Sequence, residues 1–408
     1  MRILLIGPMV PQRDGFGAMP KLLHAQVQGL AARHELTVLA PFGDLPGQAE
    51  SAAALAASGL DAHFVDGRRP AGTAARWRVR RQLAGTWLRR PWPWRTVLQL
   101  RGMQALLDRV ASEREFDVVA VEDSAMAALR LPAGVPRVLT EHEAARAPAS
   151  GWQGGPLRQR PLRLLQSADL KRLDSYQERA WRGFDLVQTF TSQDAAEIRR
   201  RQPDLVTRLR VNPYGMELPA AADPDREEPG TILFTGTFTH LPNREAAIWL
   251  AGEILPAVRR RFPAARLRLV GSAPPPEVRA LAGPGVELIA DAPSMEPHLA
   301  AAAVILAPVR SGGGMRIKVL EAMALGKAVV TTLLGAQVGF DCFEQPPPLM
   351  IAPMPPGIAA GAAELLGDDD RRRALGRAAR NFAFEHLSSA SWAARLEKIY
   401  AEAIELHR

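Results

Sequence analysis

The stretch VILAPVRSGGGMRIKVLEAMALGKAVVTT, Val304 to Thr332, holds the residues best suited to chemistry in this chain. Gly312, Gly313 and Gly314 lead into Arg316, Lys318 and Glu321. Glycines let a backbone approach a ligand closely, and the N–H groups exposed where a helix begins attract anions. Arginine and lysine beside such a start suit a diphosphate. A carboxylate one turn further on can accept hydrogen bonds from ribose hydroxyls. The pattern offers a site for a nucleoside diphosphate. The same spacing also fits a surface Lys318–Glu321 pair at i, i+3, contributing roughly 0.2–0.5 kcal/mol.

The elements around these residues form one unit. Val304 to Ala307 is a short apolar run, expected as a buried strand. After the glycines, Ile317, Leu320 and Ala324 recur on one helical face, while Gly314, Lys318 and Glu321 share another. Gly326 stands where the helix needs a left-handed stop, and Ala328 to Thr332 reads as the next strand. Strand, glycine turn, helix and strand make the building block of a parallel sheet.

The block GGGMRIKVLEAMALGKAVV resembles the donor-binding segment of the large retaining glycosyltransferase family 4. LEAMA is Leu320 to Ala324, and an alanine, Ala328, replaces the usual proline in the segment that follows. The resemblance continues through Ile232 to Pro263 and Leu267 to Leu281. It is greatest to bacterial exopolysaccharide-type sugar transferases with GGG-x-R-x-K before LEAMA, and it is looser over the first half. It implies an α/β fold of the GT-B kind: two Rossmann-like domains facing across a cleft, with the C-terminal helix crossing back to the first. The expected divisions are an acceptor domain at 1–217, a nucleotide-sugar-binding domain at 218–386 and a crossover helix at 387–408.

Length and composition agree with a folded protein of two or three domains. The chain has 408 residues, 47% of them apolar, and no apolar run of membrane-spanning length. The opening MRILLIGP goes directly into a strand, so no signal peptide is expected. Cys342 is the single cysteine and the eight histidines lack metal-ligand spacing, so neither a disulfide framework nor a metal site is expected. A cytoplasmic location follows as the expectation. The formal charge of +8 suggests acidic partners.

In the first half, Ile3 to Ile6 reads as a strand and is followed by a loop with Gly15 and Gly17, then a helix from Lys21 to Arg33. The resemblance implies that this loop faces the donor phosphates; by itself it fits an ordinary connection. A helix is expected around Val97 to Val110, and a long basic helix with a break over Arg158 to Arg182. Arg137 to Thr140 is a strand running into Glu141, His142 and Glu143. A histidine at the carboxyl end of a parallel strand lies where open α/β sheets bind ligands, and the resemblance gives His142 the donor sugar. By itself the residue is better read as a solvent-exposed or locally hydrogen-bonded histidine. In the second half, the resemblance places Gly236 and Thr237 against phosphate and the backbone at Asp291 against the base. Asn243 reads as the cap of a helix beginning at Arg244.

Relatives carry two glutamates eight positions apart. Glu321 is the second; Gly313 stands where the first would be, which leaves the sugar open. The resemblance implies a metal-independent, cofactor-free enzyme taking a UDP- or GDP-sugar, retaining configuration, and serving cell-surface polysaccharide or glycolipid synthesis with a saccharide or lipid-linked acceptor. Two other readings remain: a GT-B sugar-nucleotide epimerase, and a non-catalytic nucleotide-sugar-binding partner of an assembly complex. Neither array carries G-x-G-x-x-G after a strand, which argues against a dinucleotide oxidoreductase.

Arg76 to Arg101 interleaves arginines with Trp77, Trp87, Trp92 and Trp94 and contains no acid. Such a segment suits the inner face of an anionic membrane. Packing of the tryptophans into the core is the competing reading. No recognition module accompanies the charge, so nucleic acid is not expected as a partner.

Overall fold

The computed structural model describes residues 1–13, 18–68, 71–144, 160–311, 316–337 and 339–408. Gly15, Gly17, Gly312, Gly313 and Gly314 lie outside the described residues.

The first array runs β1 (Arg2–Ile6), α1 (Ala18–Ala31), β2 (Glu35–Phe42), α2 (Gln48–Ala57), β3 (Asp61–Asp66), α3 (Thr73–Arg89), α4 (Trp94–Gln99), α5 (Met103–Glu113), β4 (Val118–Glu122), β5 (Arg137–Glu141), α6 (Arg160–Arg182), β6 (Leu186–Thr189), α7 (Ser192–Arg201) and β7 (Leu209–Val211). The second runs β8 (Thr231–Thr235), α8 (Leu241–Trp249), α9 (Leu255–Arg259), β9 (Arg266–Gly271), α10 (Pro276–Arg279), β10 (Val286–Ala290), α11 (Glu296–Ala301), β11 (Val304–Ala307), α12 (Ile317–Ala324), β12 (Ala328–Thr331), β13 (Met350–Ile351) and α13 (Pro355–Gly367). Two further helices, α14 (Asp369–His386) and α15 (Ser389–His407), close the chain.

The strands pair in parallel in two sheets, ordered β3-β2-β1-β4-β5-β6-β7 and β10-β9-β8-β11-β12-β13. Helices cover both faces, which is why β1, β4, β8 and β11 are nearly continuous apolar runs. Each sheet reverses its order at one place, between β1 and β4 and between β8 and β11. Crevices at the carboxyl ends of strands beside such reversals are where open α/β sheets hold ligands.

Helix α15 returns to the first array. Its Trp392, Leu396 and Tyr400 are buried, and it packs along α1. Glu397 pairs with Arg33, and Glu402 with Arg210. Met216 and Ser388 bridge in parallel at the chain's two crossings between the arrays.

Several local expectations are corrected. The helix expected over Val97 to Val110 is two helices, α4 and α5, parted at Gly102, whose φ of 76° is left-handed. No break interrupts α6 from Arg160 to Arg182. The helix expected from Arg244 begins at Leu241, so Asn243 is inside its first turn and His240 is the cap position. Between α8 and α9 the helix loosens into a π segment, Leu250–Ile254. Pro256, the second residue after it, cannot donate an i→i−4 bond to Gly252 within the segment, which accounts for the shift.

Helix α3 has no buried residue. Trp77 is 61% exposed and Leu88 70%, whereas the Trp87 indole N–H donates to Asp169 Oδ1 at 2.7 Å under the Arg172 guanidinium. The tryptophans therefore divide between packing and exposure. Among the described residues, no helix is long and apolar enough to cross a membrane.

Candidate functional site

Helix α12 sets the C-terminal side of the site. Arg316 precedes it in a non-helical conformation, with φ −90° and ψ 69°. Val319, Leu320, Met323 and Ala324 are buried against the domain, which turns Lys318 and Glu321 toward the opposite side. Gly326, at φ 77°, stops the helix as its sequence position foretells.

Lys318 does not pair with Glu321 in the simple surface manner. Its Nζ donates to Asn243 Oδ1 at 2.6 Å and stands 4.1 Å from the centre of the Phe234 ring. Burial, then the charge of Arg316, brings the Lys318 ammonium down to about 7, with Glu321 opposing. The residue read as a helix cap is thus the acceptor for the site lysine. Asn243 Nδ2 in turn donates to the Thr237 carbonyl at 3.0 Å. Gly236, after β8, leaves room for the Asn243 amide, since a Cβ there would stand 2.8 Å from it and displace it. Thr237 is exposed and its hydroxyl accepts from Ser272 at 3.2 Å. His240 belongs to the same group: burial, then the charges of Lys318 and Arg316, push its imidazole below the ordinary value.

Arg316 is 7% exposed. Burial pushes its guanidinium down, while Asp194 and Glu143 of the first array hold it up. Asp194 Oδ1 accepts from the Ala144 amide at 2.9 Å, so Arg316 faces the short segment that follows His142. Glu321 also reaches the first array, accepting from Lys21 Nζ of α1 at 3.4 Å. The Lys21–Glu321 contact joins α12 of the second array to α1 of the first.

His142 follows β5. Its Nε2 is 2.9 Å from Glu122 Oε2, and its ring meets Phe190 edge-on at 4.9 Å between centres. Phe190 touches Tyr214, which feels the charge of Glu321. Burial pushes the His142 imidazole down, but the hydrogen bond and charge of Glu122, with Asp123 and Glu141, outweigh it and raise it overall. Asp291, at the end of β10, has a left-handed φ of 52° and accepts from the Ala273 amide at 2.9 Å. It lies farther along the sheet edge and is exposed.

Arg316, Lys318 and Glu321 thus stand together at the start of α12, with Asn243, Gly236 and Thr237 beside Lys318 and Lys21 beside Glu321, while His142 is held at the end of β5 by Glu122 and Phe190. Sequence reasoning missed Lys21, Phe234, His240 and Glu122 and gave Asn243 another role. Glu122 had a visible signal, an acid closing the apolar run VVAVE; Lys21 had none.

Residues 229–368 match the family described as Glycosyl transferases group 1. No curated protein matches the chain. Among solved structures, HepE from Anabaena in complex with UDP and glucose has a TM-score of 0.64 at 12% identity, covering 98% of this chain and 100% of that one. Sucrose-phosphate synthase from Thermosynechococcus elongatus has a TM-score of 0.65 at 15% identity, covering 99% and 100%. A TarM structure has a TM-score of 0.55 at 12% identity; the match covers 75% of this chain and spans 58% of that one. The chain therefore has the two-domain GT-B fold, and residues 229–368, within its second array, are similar to the group 1 glycosyltransferase domain.

Proposed function

We propose that this protein is a retaining glycosyltransferase that moves a sugar from a nucleoside diphosphate sugar to an acceptor in cell-surface polysaccharide or glycolipid synthesis. The observation that supports this reading is that the α12 residues look to the first array: Glu321 accepts from Lys21, and Arg316 feels the charges of Asp194 and Glu143, the latter next to His142. Residues 1–217 form the acceptor domain, 218–386 the donor domain and 387–408 the crossover helix.

Transfer leaves negative charge on the departing diphosphate, and stabilising it is the main electrostatic task. Arg316 and Lys318 supply that stabilisation, so no metal or cofactor is assigned. Glu321 accepts from the ribose, and His142 meets the sugar. The backbone at Gly236, Thr237 and Asp291 lines the nucleotide, as do the glycines at 15, 17 and 312–314 in the resemblance. UDP is the first base to test, because HepE, which shares the fold, was solved with UDP and with UDP-glucose. Retention rests on the resemblance to family 4.

The exposed face of α3 and α4 provides peripheral contact with an anionic membrane on its cytoplasmic side, bringing the cleft to a lipid-linked acceptor. Incubation with a panel of UDP- and GDP-sugars and lipid or saccharide acceptors tests the activity. Labelled sugar appearing in the acceptor fraction supports it. Nucleotide binding without transfer or donor turnover supports a binding partner instead.

A further inference from the structure

Glu122 is wholly buried at the last position of β4. It stands in register with Thr140 of β5, and His142 lies two residues beyond Thr140, on the same side of the sheet. One carboxylate oxygen, Oε1, accepts from Gln26 Nε2 at 2.7 Å and from Thr140 Oγ1 at 2.8 Å. The other, Oε2, faces His142 Nε2 at 2.9 Å. Gln26 and Thr140 are neutral donors. A buried carboxylate held by neutral donors on one oxygen gains most when the group on its other oxygen carries positive charge.

We propose that Glu122 is a positioning residue for His142, fixing Nε2 inward and presenting the remaining ring nitrogen, Nδ1, to the cleft as a hydrogen-bond donor toward the donor sugar. The assignment rests on the function proposed above for His142 and adds to it a protonation state and the group that sets it. Three carboxylates, Glu122, Asp123 and Glu141, act on the ring in the same sense, Glu141 once it ionises, since burial and then Asp123 push it up to about 7. Asp123 follows β4, with a left-handed φ of 74°, and Glu141 precedes His142 on β5; both raise the imidazole together with Glu122. Phe190 and, through Glu122, α1 with Gln26 bring no charge. With Nε2 bound to a carboxylate, loss of a proton would leave Nδ1 as an acceptor, and the contact to a sugar hydroxyl would change sense.

The test is Glu122→Gln, which keeps the shape and removes the charge. NMR titration of the histidine C–H signals, with His142→Gln to assign the resonance, reads the imidazole directly. Wild-type His142 should titrate above the ordinary imidazole value, and Glu122→Gln should lower it by about one unit or more. In transfer assays kcat/KM of Glu122→Gln relative to wild type should fall as pH rises and recover as pH falls, a ratio from which the Lys318 titration common to both cancels. A ratio equally low at every pH would mean that Glu122 only supports the fold and would overturn the proposal. So would a wild-type His142 that titrates at or below the ordinary value, a measurement that stands even if the variant does not fold. Absence of transfer in wild type counts against the proposed function, and the NMR titration still decides the role of Glu122.

Discussion

Glu321 links the two halves of the site, accepting from Lys21 and standing where ribose hydroxyls are expected. Glu321→Ala should raise the nucleotide dissociation constant by about one to two decades, since hydrogen bonds to a charged acceptor contribute about 1.5–3 kcal/mol. The Lys21 pair is partly exposed, so stability should fall by no more than about 1 kcal/mol. Calorimetric titration and urea unfolding check the two effects; unchanged affinity in the folded variant removes the ribose role. Lys318 gives a pH signature. Its ammonium lies near 7 in the free protein, and a bound diphosphate favours the charged form. Binding should therefore take up protons from pH 7 upward, and affinity should weaken as pH rises from 7 to 9 by up to about tenfold per unit. Dissociation constants flat across that range contradict this. At this scale Arg316, Lys318 and Glu321 were legible because they share one helix start. Their partners were not: Lys21 is 300 positions from Glu321, and Asn243 is 75 from Lys318. A local rule made Asn243 a cap, and a tertiary hydrogen bond overrode it.

The element that aims Lys318 is the junction of β8 with α8. A methyl group at Gly236 would press on Asn243, 2.8 Å away, and draw the amide from Lys318. Gly236→Ala should fold and bind the nucleoside diphosphate about tenfold more weakly, a loss of about 1.4 kcal/mol, comparable to one hydrogen bond to a charged group. Equal affinity for variant and wild type would show that Asn243 does not orient Lys318. Most strands and helices were legible because their apolar periods are local and strong. The exceptions have physical causes. Gly102 splits α4 from α5, Pro256 loosens the helix after α8, and β13 is a two-residue edge strand too short to leave a period.

For the whole molecule, alternation of strands and helices announced two parallel sheets, while contacts between the arrays, such as Lys21 with Glu321 and Glu402 with Arg210, are encoded by no period. The basic face of α3 belongs to this scale. Each basic residue near an anionic surface contributes about 1 kcal/mol, so wild type should sediment with anionic vesicles at low salt and not with neutral ones. A variant with Arg89, Arg90 and Arg95 changed to Ser should lose most of that binding. Wild type ignoring anionic vesicles, or the variant binding equally well, removes the membrane contact and leaves the enzyme reading intact.

In the proposed enzyme a nucleoside diphosphate is held through Arg316 and Lys318. The most direct measurement is a thermal-shift screen of wild type, Arg316→Ala and Lys318→Met against UDP, GDP, ADP and CMP, with the matching nucleosides. A ligand at about 100 times its dissociation constant stabilises the fold by about 2.7 kcal/mol, a readable rise in Tm. The expected result is a clear rise with at least one diphosphate, reduced in both variants while any nucleoside response is kept. Folded wild-type protein that shifts with no nucleotide would contradict the claim, as would variants that lose nucleoside and diphosphate binding alike.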